Sequence, residues 1–237
     1  MIRIEEGGMG DCEALARYHY AGGRPGPVCR VLRAVDVASG VLAGALVVSR
    51  PTLNARWRRV AWPGEYEDPD LRARARRINA QLRVISRLIV EPRLRACGVG
   101  TRLVRAYLAA PLTVRTEAVS AMGEVCPVFE RAGMRAVRMA QRTQDGRLER
   151  FLARRGVAPE SLVSRADAVC GDEEMRAELR MWANASRRTR GLLVGDVRAL
   201  CRAAARALLA EPVAYVAGRE ESAAERGERK RREEGGI

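Results

Sequence analysis

Ile2 and Ile4 alternate with Arg3 and Glu5, the period of a half-buried strand, before Gly7-Gly8 interrupts it. A helix capped by Asp11 is expected to run to about Tyr20, with Leu15 and Tyr18 on one side. The Gly22–Pro27 cluster is a loop, and Val28–Val35 and Val41–Val48 then read as the arms of a hairpin turned through Ala38-Ser39-Gly40. Asp70 caps an Arg-rich surface helix to about Ala80. Leu82–Val90 is too β-branched and too short for a helix and is expected to be a mostly buried strand. After a turn and a glycine loop, Leu103, Val104, Tyr107 and Leu108 fall at helical spacing. A short strand over Val114–Glu117, a helix over about Ser120–Ala132 and a strand over Met134–Met139 complete this half.

From residue 147 the period changes. Leu148, Phe151, Leu152, Leu162, Val163, Ala166 and Val169 keep helical spacing on either side of a break at Gly156–Pro159. Met175, Leu179 and Trp182 begin another helix, and Asp196 caps a helix over Val197–Leu209. Val213–Ala217 is β-prone between Pro212 and Gly218, so it is expected to return to the sheet as a last strand, with the helices as an insertion. The organisation expected is a core over 1–146, a helical lobe over 147–211, a strand over 212–217 and a flexible charged tail over 218–237.

No apolar run reaches the ~20 residues that span a bilayer, and the N-terminus lacks the order of a signal peptide, which points to the cytoplasm. The six cysteines contain no C-x-x-C pair, and His19, the single histidine, has no partner at metal spacing; reduced thiols and no metal are expected. Among 237 residues the net charge is +14. Residues 50–105 alone hold 14 Arg against 5 acids. A polyanion, either a phosphorylated cofactor or nucleic acid, would be drawn there. Arg56, Arg58, Arg59, Arg72, Arg74, Arg76 and Arg77, with Trp57 and Trp62, are the candidate nucleic-acid contacts; a solvated face with tryptophan packed beneath it is the alternative.

The strongest chemical signal is Arg95-Ala96-Cys97-Gly98-Val99-Gly100-Thr101, placed directly after a strand and opening a helix. Glycines there let main-chain N–H groups approach an anion, and the helix N-terminus favours phosphate. No Gly-Lys-Ser/Thr follows, which excludes the Walker loop, and the spacing fails the dinucleotide fingerprint. An Arg-x-x-Gly-x-Gly pattern remains.

With Val90-Glu91-Pro92 before it and Phe129-Glu130-Arg131-Ala132-Gly133-Met134 after it, residues 1–140 resemble the GNAT-type N-acetyltransferases. More narrowly they are similar to the acetyltransferase-like domain fused to certain ABC-type ATPases, whose ATP-binding loop is absent from this sequence. The resemblance implies an α+β fold with a mixed, mostly antiparallel central sheet flanked by helices. It also implies acetyl-CoA as cosubstrate, held by the main chain of Leu88, Ile89 and Val90 at the pantetheine and of Arg95, Ala96, Cys97, Gly98, Val99, Gly100 and Thr101 at the pyrophosphate. Arg93 and Arg95 would add charge-assisted contacts.

Acetyl transfer needs a neutral amine, an N–H at the oxyanion and a proton for the thiolate. Glu117 is the first candidate base and Glu91 the second, with His19 third; an ion pair with an arginine is the alternative for Glu117. The family's tyrosine acid aligns with Phe129, which has no proton to give, and its asparagine with Met122. Water, Ser120 or Cys126 could supply the proton instead. The function expected is acetyl-CoA-dependent N-acetylation of a primary amine. A non-catalytic module binding nucleic acid or an assembly partner, and an acyl-CoA sensor, are the alternatives.

Overall fold

A computed structural model of the chain describes residues 1–19, 25–138, 143–209 and 212–218. The expected loop at 22–24, Tyr20, Met139, the end of the lobe at 210–211 and the charged tail from 219 lie outside these. By compactness the chain divides into two units, one comprising Met1–Ser120, Cys126–Val137 and the stretch from Ala214 on, the other Ala121–Val125 and Arg138–Val213.

The first unit is built on a mixed seven-stranded sheet of order β1-β2-β3-β4-β5-β7-β6. The strands are β1 (Ile2–Glu6), β2 (Val28–Asp36), β3 (Leu42–Ser49), β4 (Leu82–Val90), β5 (Arg115–Ser120), β6 (Arg135–Val137) and β7 (Val213–Gly218). β1 to β4 are successively antiparallel, β4 and β5 run parallel, and β6 pairs antiparallel with β7. This is the mostly antiparallel, helix-flanked sheet that the resemblance implied. The β2–β3 hairpin forms where expected, because Gly40 takes a positive φ of 69° and its N–H reaches Asp36 O at 2.8 Å.

The helices differ more from expectation. α1 (Met9–Leu15) begins earlier than Asp11, which sits in its first turn with a carboxylate accepting from Gly8 N–H at 2.8 Å; a short 3-10 turn, Ala16–Tyr18, follows. A one-turn helix, α2 (Trp57–Ala61), was not expected. α3 (Leu71–Gln81) is capped by Asp70, whose Oδ1 accepts from Arg72 N–H at 2.8 Å. α4 (Val99–Ala109) follows the glycine loop. The helix expected over Ser120–Ala132 shrinks to α5 (Val128–Arg131). β5 extends through Ser120, and Pro127 keeps Cys126 before it out of helical backbone.

Alternation and register define two faces. On the front, Val31, Ala45, Val47 and Ile89 form one cluster with Cys12 and Leu15 of α1. On the back, a Cβ added to Gly44 would lie 3.1 Å from Leu103 and 3.3 Å from Val99 of α4. The bare glycine lets the helix settle onto the strand.

The chain leaves the sheet at β6 and re-enters it at β7, where Arg135, Ala136 and Val137 face Val216, Tyr215 and Ala214. Between them lie α6 (Thr143–Arg154), α7 (Ser161–Ser164), α8 (Ala166–Gly171), α9 (Glu173–Asn184), α10 (Arg187–Arg190) and α11 (Val197–Leu209). The polar stretch before residue 147 is thus partly helix. The second unit has its own core, which includes Leu148, Leu152, Leu162, Leu179, Trp182 and Ala204. A buried Asp145 accepts the Trp182 indole N–H at 2.8 Å. Asp145→Ala strands that donor and is expected to destabilise this unit by about 1–3 kcal/mol in urea titration, whereas Asp145→Asn recovers part of the loss.

No helix among the described residues is long and apolar enough to cross a membrane, and none of their His, Cys, Asp and Glu groups could hold a metal.

Candidate functional site

β4 begins as a full partner of two strands and ends as a partner of one. Leu82–Ile85 pair with Arg115–Ala118 of β5, and Ile85–Ala118 is the last pair in register. On the β3 side the register slips at the same level: Val48 faces Ile85 and Val47 faces Arg87, so Ser86 is a bulge. Its hydroxyl lies 2.7 Å from Ser49 Oγ and reaches Val47 O at 3.2 Å, which ties the bulge down on the β3 side. Beyond it, Ser86–Val90 has no β5 partner among the described residues.

Glu91 N–H donates to Ala43 O at 3.0 Å. Counting back by alternation, Ile89 also turns its main-chain groups to β3, while Leu88 and Val90 turn theirs toward the opening. Of the three residues expected to offer main-chain contacts, two therefore face the gap. Ile89 instead buries its side chain in the front core and is 3% exposed.

At the C-terminal end of β4, Pro92–Leu94 make a 3-10 turn and Arg95–Gly98 an exposed loop. The two glycines answer to different needs. Gly98 caps α4 in the left-handed region, at φ 77°, with open space where a Cβ would stand. Gly100 is buried by close packing, since an added Cβ would lie 3.1 Å from Val128 and 3.5 Å from both Leu88 and Val90. The start of α4 is thus pressed onto the back of the free end of β4. Ala96 also has a positive φ, 63°; left-handed residues alternating with others turn successive N–H groups to one side, as in anion-binding nests. The N–H groups of Val99, Gly100 and Thr101, in the first turn of α4, have no carbonyl to meet within the helix. Arg95 stays exposed and donates to Tyr18 O at 3.3 Å.

The two candidate bases are both held in ion pairs. Glu91 accepts from Arg93 N–H at 2.8 Å and from Arg93 Nε at 2.9 Å. The side-chain bond from Arg93 holds the Glu91 carboxyl below its ordinary range, although Arg93, 84% exposed, lends it little more than a screened surface pair. Glu117 is 1% exposed. Its Oε1 receives Arg58 Nη2 at 2.5 Å, and its Oε2 receives Arg58 Nε at 2.9 Å and Trp57 Nε1 at 2.7 Å. Arg58 Nη1 also donates to Thr52 O and Leu53 O, at 2.7 and 3.1 Å. The carboxylate that ends in a buried pair is the alternative weighed above for Glu117.

Sequence reasoning missed the extent of this network. Arg115, 3% exposed, donates to Tyr66 Oη at 2.8 Å, lies 3.5 Å from Glu65, and faces the rings of Trp62 and Tyr66 at 5.2 and 5.5 Å. Two charged residues two apart in the buried first four positions of β5 were the available signal. Phe129 is buried against Tyr215 of β7, ring centroids 5.1 Å apart. Cys126 is exposed.

The same contacts engage part of the expected nucleic-acid face. Arg58 is buried, Arg77 pairs with Glu65 at 3.2 Å and Arg59 with Glu67 at 3.8 Å, and Arg74 donates to Asn54 at 3.4 Å. Trp62 is buried edge-on to Tyr66. Arg56, Arg59, Arg72 and Arg76 are exposed, whereas Arg58, Arg74, Arg77 and both tryptophans are turned to other partners, so the set is not one continuous stacking and phosphate-binding surface.

No protein-family model matches the chain, and no curated protein does. Among solved structures it is similar to nourseothricin acetyltransferase, with 15% identity and a TM-score of 0.35, over 61% of this chain and 89% of that one. A likeness of that size assigns neither activity nor substrate.

Proposed function

We propose that the opening between β4 and β5 binds an acyl-CoA, acetyl-CoA in the first instance, and that the protein transfers its acetyl group to a primary amine. The observation that carries this is the parting of the two strands at the Ser86 bulge, with the amides of Leu88 and Val90 facing the gap and the first turn of α4 packed beside its end. A pantetheine arm is an extended amide chain and can pair with a free strand edge. The first-turn N–H groups at Val99–Thr101 and the Arg95 guanidinium suit a pyrophosphate. An N–H of Leu88 or Val90 aimed into the gap suits the oxygen that gains charge as an amine attacks the thioester.

A second reading, binding of the acyl-CoA without transfer, has support of its own. Glu91 and Glu117 are both ion-paired, and the buried Phe129 has no proton to donate. Water serving as base and acid keeps transfer open, with the amine's own ionisation then setting the pH dependence.

Calorimetric titration with acetyl-CoA tests the cleft, and chromatographic detection of released CoA with a panel of amines tests transfer. Wild type is expected to bind, and Gly100→Glu to lose at least about 100-fold in affinity, near 2.7 kcal/mol. Because position 100 packs against Val128, circular dichroism has to show that the variant is folded, and Arg95→Ala serves as the gentler companion, expected to weaken binding about tenfold. No heat from the wild type would remove the reading altogether, and binding without CoA release would leave the second one.

A further inference from the structure

The network around Glu117 takes no part in holding an acyl-CoA, yet it sits one residue pair from the place where β4 and β5 separate. Glu117 is level with Val84, and Ile85–Ala118 ends the register. Partners across strands share a face, and so do alternate residues along one. Val84, Glu117 and Val119 therefore lie together on the front, the side from which α2 supplies Trp57 and Arg58. α4 and the glycine loop pack on the back, against Gly44, Leu88 and Val90. On the acyl-CoA reading of the cleft, a second substrate would approach a thioester held from the glycine loop from the α2 side.

The surface on that side has a definite chemistry. Trp57 is half-buried, and its N–H is fixed on Glu117 Oε2 at 2.7 Å, so the indole cannot turn freely. Arg58 uses Nε, Nη1 and Nη2 on Glu117, Thr52 O and Leu53 O and is sealed from solvent, so its charge is closed to an anionic acceptor. The carboxylate is equally closed to a polyamine. Val119, next on the same face and past the last registered pair, is 37% exposed. A held aromatic ring on Glu117 and an exposed valine two residues along the same face of β5 thus flank a neutralised pair.

We propose that Trp57 is the acceptor platform. It selects a primary amine whose nitrogen is a few bonds from a planar apolar group, which packs on the indole, and Glu117 is the positioning residue that holds the ring. The proposal rests on the acyl-CoA reading of the cleft. In the transfer, the amine lone pair forms the C–N bond at the thioester carbonyl and the C–S bond breaks with its electron pair on sulfur. The proton shed by nitrogen ends on the thiolate through water. Trp57 moves no proton and acts through binding alone.

The probes are 2-phenylethylamine and ethylamine, titrated calorimetrically into the full chain saturated with CoA. Phenylethylamine is expected to bind at least tenfold more tightly. Trp57→Ala and Val119→Lys each erase that preference, Trp57→Phe keeps most of it, and Val60→Ala, on an exposed position of the same short helix, leaves both affinities in place. Equal affinity for the two amines, or a preference that survives Trp57→Ala, overturns the platform; so does its loss in a folded Trp57→Phe protein, which would make the N–H rather than the ring the recognising group. For Glu117→Gln the expected result is a rise in KM for phenylethylamine larger than any fall in kcat, with the pH of half-maximal rate unmoved. A shifted or flattened pH profile makes Glu117 a base and overturns its positioning role. Should acetyl-CoA fail to bind, the cleft reading falls by itself. Phenylethylamine titrated without CoA then still decides the platform, which stands if binding depends on Trp57 and falls if it does not.

Discussion

Glu117→Ala is expected to lower the stability of the sheet unit by about 3–5 kcal/mol, because it leaves the Arg58 guanidinium buried without its counter-charge. The geometry makes the loss hard to relieve. Arg58 is fixed by two main-chain carbonyls as well as by the carboxylate, so it cannot swing out to water without releasing the loop at Thr52 and Leu53. Arg58→Ala should cost a similar amount by orphaning Glu117. The double replacement Arg58→Met with Glu117→Leu is expected to recover most of the stability, since two apolar side chains of similar volume remove the desolvation cost of both ions together. Urea midpoints of the wild type and the three variants provide the measurement. A single-variant loss below about 1 kcal/mol would mean that the pair is not what holds α2 to β5.

Gly218→Ala should be nearly as severe. The residue ends β7 at φ 138°, and a Cβ there would lie 2.5 Å from Val114 O and 3.0 Å from Arg115 Cα. Main-chain atoms at Val114 and the start of β5 cannot yield as a side-chain tip can. Backbone strain of about 1–2 kcal/mol adds to overpacking of about 1–3 kcal/mol, for a loss of about 3 kcal/mol or more. Gly10→Ala, in α1 with nothing within 4 Å of its Cβ, is the control and should be neutral or stabilising by up to about 1 kcal/mol. Hydrogen exchange would locate the damage: amides of Val213–Val216 should lose protection in Gly218→Ala before those of β2 and β3 do. Unchanged protection would mean that the re-entering strand does not depend on this close approach.

These two sites lie at different distances from what the sequence makes legible. β4, the glycine loop and α4 are consecutive, and their pattern of β-branched run, glycines and helical spacing is set by local preferences, so the cleft's back wall could be read directly. The same local reading explains why Gly98 and Gly100 stood out while their separate needs did not. Gly98 requires a left-handed φ, which is local, whereas Gly100 requires room against Val128 and β4, which is tertiary. The misread helix at 120–132 shows the limit from the other side. Apolar spacing there allowed several turns, and pairing of β5 through Ser120, with Pro127 behind it, left only one.

By itself the sequence determined most of the strands and helices in their order and the position of a loop suited to an anion, because periodicity, turn residues and glycine are properties of neighbouring residues; the mixed, mostly antiparallel sheet was implied by the family resemblance that the loop and its flanks carry. Which carboxylate stays open and which arginine stays charged to solvent were decided by tertiary structure alone. Arg58 and Glu117 are 59 residues apart, and nothing in either segment names the other. Only when α2 folds over β5 do a candidate base and a candidate phosphate contact neutralise one another, leaving an indole at the edge of the opening.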